Sequence, residues 1–138
     1  AARRGGGTVH AIDPHAGPDR PAAAPEVSDT FAPFRENVRR PGLEGLVAPV
    51  RERSAAAAAR WRDPIGFLWI DGSHDYEDVR ADLSGFAPHV LPGGHVALHD
   101  TRGRRFPGVR RALAEFLAAS PDFRTVLSLH NMEVLRRG

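Results

Sequence analysis

The sequence predicts an α/β fold built on a mostly parallel sheet. Three observations carry that prediction. Short apolar runs stop abruptly at acids: Phe67-Leu68-Trp69-Ile70 ends at Asp71, and Val96-Ala97-Leu98 ends at His99-Asp100. Runs of this kind, bounded by Gly and Pro, read as buried strands of a parallel sheet. Between them Val79, Leu83 and Phe86 recur at i, i+4 and i+7, the spacing of an amphipathic helix. Strand and helix patterns alternate along the whole chain, which favours parallel pairing with helical crossovers.

The elements follow in order. Thr8 to Asp13 is expected as a short strand ending in an acid, and Pro14 to Thr30, rich in Pro, Ala and Gly, as a loop. Phe31 to Arg40 reads as a helix, with Asp29 or Thr30 as its cap and Pro41-Gly42 as its stop. Leu46 to Val50 is a short strand. Ser54 opens a helix through the Ala55 to Ala59 run to Trp61, since alanine is the strongest helix former. Gly66 to Asp71 is expected as the central strand, and Tyr76 to Phe86 as the helix after it. Pro92-Gly93-Gly94 is read as a turn into a strand from Val96 to His99. Pro107 to Ala119 is a helix with Val109, Leu113, Phe116 and Leu117 on one face. Phe123 to Leu129 and Met132 to Leu135 form a terminal antiparallel pair around His130-Asn131. Trp61 and Trp69 are expected in the core. His10, His15, His89, His95 and His130 are read as structural or surface residues.

A length of 138 residues suits one domain, here 1–138, with one core. The chain is 41% hydrophobic and 26% charged, ordinary for a globular protein. No apolar stretch approaches the ~20 residues of a membrane span. The first residues, Ala1 to Gly7, lack the apolar centre of a signal peptide. Cysteine is absent, which excludes disulfides and thiolate metal sites and suits a cytoplasmic location. The pI of about 10.3 does not indicate nucleic-acid binding. All 19 basic residues are arginine, the net charge is only +2, and no basic stripe with interleaved aromatics is present. No nucleic-acid or membrane partner is therefore expected.

In open α/β sheets ligands bind at the carboxyl ends of the strands. Asp71 and Asp100, with His74 and His99 beside them, would stand on that edge. Two carboxylates and two imidazoles there suit a divalent metal with a general base next to it. The structural alternatives are a turn cap at Asp100, a satisfied core histidine at His99 and a surface loop histidine at His74. Asp75 is either a partner for His74 or the cap of the following helix, and Asp82 is read as holding that helix.

The pattern Ile70-Asp71-Gly72-x-His74-x-Tyr76-x-x-Val79-x-x-Asp82, followed by Pro92-Gly93-Gly94 and His99-Asp100, closely resembles the class I S-adenosylmethionine-dependent O-methyltransferases. The nearest branch is similar to the metal-dependent one, family 24-like, that includes macrolide sugar and catechol-type enzymes. The resemblance runs from Val9 to Arg137 and is most specific from Leu68 to Asp82. It implies a Rossmann-like methyltransferase fold with a terminal antiparallel strand. It assigns the cofactor S-adenosylmethionine to Asp13, Ser54 and Asp71, with Asp13 on the ribose and Ser54 beside the adenine. Against these stand an Asx turn before Pro14 and a simple helix cap at Ser54. It assigns a divalent metal, Mg²⁺ by the family pattern, to Asp71, His99 and Asp100. An imidazole at His99, where related enzymes often carry an acid, makes Mn²⁺ or Fe²⁺ easier to accommodate. His74 takes the place of the general base.

Members of this family open with a strand and a Gly-rich turn that cradle the cofactor. Here Gly5-Gly6-Gly7 precedes what resembles the second strand, and Ala1 to Arg4 resembles the tail of the helix between. The expectation is a chain lacking its first strand and Gly-rich turn. The function implied is methyl transfer to a hydroxyl of a small molecule, metal-assisted, with room for a homo-oligomer. The alternative is a non-catalytic remnant or truncated fragment that no longer binds cofactor. Pro14 to Thr30 and Arg102 to Phe106 are the segments expected to cover the substrate.

Overall fold

The computed structural model describes residues 6–15, 29–102 and 104–138. The proposed helix tail at Ala1 to Arg4 and most of the loop from Pro14 to Thr30 lie outside the described residues. The chain forms two compact units, Ala1–Ala57 and Ala58–Gly138.

In the first unit β1 (Val9–Ile12) and β2 (Val47–Val50) pair in parallel, with Val9 opposite Val47 and Ile12 opposite Val50. The ladder runs on past both strands: the Val9 amide donates to Leu46 O at 2.8 Å and the Asp13 amide to Val50 O at 3.1 Å. Between them in sequence lies α1 (Phe31–Arg39). Thr30 occupies its cap position without a side-chain bond, and Asp29 does the capping instead, accepting the Phe31 amide at 2.9 Å. Pro33 is tolerated because amides of the first turn have no helical partner. The helix stops at Pro41-Gly42, where Gly42 adopts φ +64° and the Leu43 amide reaches back to Val38 O at 3.1 Å. That left-handed residue and long return bond are the usual close of a helix. The boundary between the units falls within α2 (Ser54–Arg60).

The second unit holds a four-stranded sheet in the order β3 (Ile65–Ile70), β4 (Val90–Leu98), β6 (Met132–Arg137), β5 (Phe123–Leu129). β3 and β4 are parallel, and β6 is antiparallel to both β4 and β5. Helices α3 (Tyr76–Phe86) and α4 (Pro107–Ala119) lie where their apolar spacing predicts. They bury Val79, Leu83 and Phe86, and Val109, Ala112 and Leu113. Leu98 and Leu135 are 0% exposed in the sheet and form the centre of this core with Leu83. Burial of each such leucine stabilises the unit by about 1.5–3 kcal/mol.

Four expectations need correction. β3 is not central: among the described residues it is the edge of its sheet, paired only with β4. Trp69 is not core; it is 48% exposed with Phe67, because alternate residues of β3 point away from the face that buries Ile70. Trp61 is half-buried, packed edge-on against Phe86 at 5.6 Å with its indole N–H donating to Asp63 O. Pro92-Gly93-Gly94 does not end one element and begin another. It is a bulge inside β4: Ile65 faces Val90 and Phe67 faces His95, so the residues between swing out of register. Gly93 has φ +80°, and a Cβ on Gly94 would stand 2.8 Å from Leu91 O, so both glycines are required there. Among the described residues no helix is long and apolar enough to cross a membrane.

Candidate functional site

β3 and β4 end side by side. Ile70 is opposite Leu98, and the His99 amide donates to Ile70 O at 3.1 Å. Parallel register therefore delivers Asp71 and His99-Asp100 to the same edge. Asp100 adopts φ +54°, a conformation non-glycine residues rarely take and one concentrated at functional sites. This turn brings its carboxylate to the other three side chains. His74 Nε2 lies 2.7 Å from Asp100 Oδ2. His99 Nδ1 lies 3.3 Å from Asp71 Oδ1 and 3.5 Å from Asp100 Oδ1. All four side chains are partly exposed, Asp100 the least at 20%.

One donor atom each from Asp71, His74 and Asp100 lie within 4.8 Å of one another. His74 Nε2 is itself buried and has no hydrogen-bond partner among the described residues, despite its closeness to Asp100. The pair is near in distance but not aimed as a hydrogen bond. Two carboxylates and one imidazole, whose buried nitrogen is uncommitted, fit a divalent cation that accepts oxygen and nitrogen ligands. His99 stands against both carboxylates.

His74 is positioned by packing that the sequence reading did not identify. Its ring stacks on Phe106, with centroids 3.9 Å apart and planes at 19°. Its backbone is wedged against the start of α4: a Cβ on Gly108 would lie 2.8 Å from His74 O and 2.7 Å from Tyr76 N. Asp75 occupies the cap position of α3 without a side-chain cap bond, and its amide is donated to Ser73 Oγ at 3.2 Å. Asp75 thus marks the helix start by backbone conformation alone, and the structure shows no bond from it to His74. Asp82 is buried on the inner side of α3. The only readable signals for Phe106 and Gly108 were the Pro107 between them and the helix it opens.

On the outer side, Tyr76 OH donates to Glu115 Oε2 and Arg111 Nε donates to Glu115 Oε1 at 2.8 Å. The hydrogen bond to Glu115 pushes the Tyr76 phenol above its ordinary pKa. The same bond, then that from Arg111, holds the Glu115 carboxyl below its ordinary value.

In the first unit Asp13 follows β1, with its side chain 62% exposed. Its Oδ1 accepts the His15 amide at 2.6 Å, an Asx turn around Pro14. The other carboxylate oxygen is not used by that turn, so the turn does not by itself exhaust this carboxylate. His15, read as structural or surface, is buried between Phe31 and Phe34. Ser54 is the first residue of α2, and Arg53 O accepts the first helical amides, so the cap position belongs to Arg53.

Residues 1–101 match a family described as a methyltransferase domain. The chain belongs to that family. Its fold is the Rossmann-like methyltransferase fold, shared with solved O-methyltransferases. The O-methyltransferase NovP superposes with a TM-score of 0.73 at 19% identity, over 94% of this chain and 60% of that one. MycE, a methyltransferase of mycinamycin biosynthesis solved with Mg, S-adenosylhomocysteine and mycinamycin VI, superposes with a TM-score of 0.57 at 17% identity, over 95% of this chain and 45% of that one. An uncharacterised protein, y4gI of Sinorhizobium fredii, is 37% identical over 59 residues, 42% of this chain and 6% of its own length. The chain thus spans about 60% or less of these relatives.

Proposed function

We propose that this methyltransferase domain serves S-adenosylmethionine-dependent methyl transfer to a hydroxyl of a small molecule, assisted by a divalent cation at Asp71 and Asp100. The observation that carries the reading is the convergence of Asp71, His74 and Asp100 at the ends of β3 and β4 in a chain of this family. The presence of Mg and S-adenosylhomocysteine in MycE supports the same chemistry.

Asp71 and Asp100 would hold the cation, with His99 beside both carboxylates. A divalent cation bound there supplies the positive charge that lowers the pKa of an attacking hydroxyl. His74 would accept the hydroxyl proton as the oxygen takes the methyl group, the new C–O bond forming as the methyl–sulfur bond of S-adenosylmethionine breaks and S-adenosylhomocysteine leaves. An imidazole nitrogen with a free lone pair can take a proton and so suits this task. Its Nε2 is uncommitted by hydrogen bonding, which is what a base needs. Phe106 fixes the plane of its ring, and holding reacting groups in line supplies much of the acceleration. The same nitrogen cannot hold a cation and take a proton at once. His74→Ala separates the two roles: as base it lowers turnover with cation affinity intact, and as ligand it lowers both.

In the first unit Asp13 would accept ribose hydroxyls, as the strand-end acid does in dinucleotide folds, and Ser54 would stand beside the adenine. The acceptor is proposed to be a small molecule rather than a nucleic acid or a membrane, and the location cytoplasmic.

Calorimetric titration of the folded chain with S-adenosylmethionine, with and without Mg²⁺, tests the proposal. Micromolar binding, on the order of −8 kcal/mol, is the expected result. No binding by folded protein overturns it and favours a non-catalytic remnant or fragment.

A further inference from the structure

Asp100 is held from behind by the hairpin at the end of the chain. β5 and β6 close at the pair Leu129 and Met132, leaving His130-Asn131 as a two-residue turn. His130 in that turn takes φ +45°, and Asp100 takes φ +54°. Three hydrogen bonds join Asn131 to Asp100 and Thr101. Asn131 Nδ2 donates to Asp100 Oδ1 at 2.8 Å. Asn131 O accepts both the Thr101 amide at 2.9 Å and Thr101 Oγ1 at 3.1 Å, and Thr101 is 3% exposed. The neighbouring cation, Arg102, pairs with Glu133 at 3.0 Å instead of with Asp100. Glu133 also accepts Ser128 Oγ at 2.7 Å.

We infer that Asn131 is a positioning residue for Asp100: it occupies Oδ1 and so makes Oδ2 the oxygen offered to a divalent cation. The inference rests on the cation reading given above. Its chemistry favours an amide. A neutral N–H donor orients a carboxylate without neutralising it, whereas an arginine at the same place would compete with the cation for its charge. Diverting Arg102 to Glu133 has the same effect. Oδ2, left free, is the oxygen 2.7 Å from His74 Nε2. The left-handed backbone of Asp100 then aims a carboxylate that one bond from Asn131 holds, while two more tie Asn131 to Thr101.

The test measures Mn²⁺ affinity of the full chain by the loss of the free-ion paramagnetic resonance signal, in the unaltered protein and in Asn131→Ala. Circular dichroism confirms that both are folded. The expected result is binding by the unaltered protein and an affinity roughly 10–100-fold lower in the variant, the range for removal of a group that orients a metal ligand. A merely structural role moves the melting temperature and not the affinity of the folded protein. Equal affinity overturns the role of Asn131 and leaves the cation reading standing. No Mn²⁺ binding by the unaltered protein overturns the cation reading itself, and the inference with it. If Asn131→Ala does not fold, Asn131→Ser is measured in its place, since turns accept serine and its hydroxyl falls short of the amide's reach.

Discussion

Gly108→Ala is the sharpest probe of how the His74 loop is seated. The new Cβ would stand 2.7 Å from Tyr76 N, 2.8 Å from His74 O and 3.2 Å from Tyr76 Cα. These are backbone atoms and cannot rotate away. Restoring ordinary contact at 3.4 Å needs a separation of roughly 0.7 Å between α4 and the loop from His74 to Tyr76. Overpacking of this kind costs about 1–3 kcal/mol. Alanine in place of glycine returns at most about 1 kcal/mol of helix propensity, and less in a first turn. The net expectation is a loss of about 1–2 kcal/mol. With a urea slope of about 2 kcal/mol per M, the unfolding midpoint falls by about 0.5–1 M. Gly66→Ala is the control, because a Cβ there meets nothing within 4 Å, and its stability should stay within about 0.5 kcal/mol of the unaltered protein. The same displacement moves His74 away from Asp100, so cation-dependent activity should fall further than stability does. A Gly108→Ala midpoint equal to the unaltered one would refute the close approach and the seating of His74 derived from it.

Three further outcomes are expected. Leu98→Ala removes a side chain with no exposure at the centre of the second unit, and urea unfolding should show a loss of about 2–5 kcal/mol. Asp71→Asn keeps size and shape but removes one of the two carboxylates beside His99, so Mn²⁺ affinity should fall at least about 10-fold while the melting temperature in chelator holds or rises, since a like charge has gone. Glu115 is depressed below its ordinary value by Tyr76 and then Arg111, so its contribution to stability is present above the unfolded carboxyl range and is lost as pH falls through its folded value. Tyr76 is raised, so its share is full below the ordinary phenol range and is lost as pH rises through its folded value. Glu115→Gln should flatten both wings of a stability–pH curve measured by urea denaturation; a curve with unchanged wings would remove this network from the account.

The amphipathic helices were legible because their period is local. α3 and α4 begin and end where spacing and Pro107 put them; the face of α3 is the one the period selects, while α4 buries Val109, Ala112 and Leu113 and leaves Phe116 and Leu117 half-buried. The strand ends were legible for the same reason: an apolar run stops where an acid must meet water, which placed Asp71 and Asp100 at one edge of the sheet. The bulge in β4 was not legible, because Pro-Gly-Gly makes a turn and a bulge with the same residues, and only the pairing of β3 decides between them. Trp69 was misread since an aromatic in a strand is apolar on either face, and which face is covered depends on elements distant in sequence.

By itself, then, the sequence determined the α/β class, the helices, the family pattern from Leu68 to Asp82 and the identity of the four side chains at the edge. The tertiary structure alone decided their geometry. Asp100 meets His74 because its backbone turns left-handed, and it turns so because Asn131, 31 residues on, bonds both its carboxylate and the residue after it. His74 faces Asp100 because Phe106 covers its ring and Gly108 lets α4 touch its backbone. These contacts join segments far apart in the chain, and no local period or propensity encodes them.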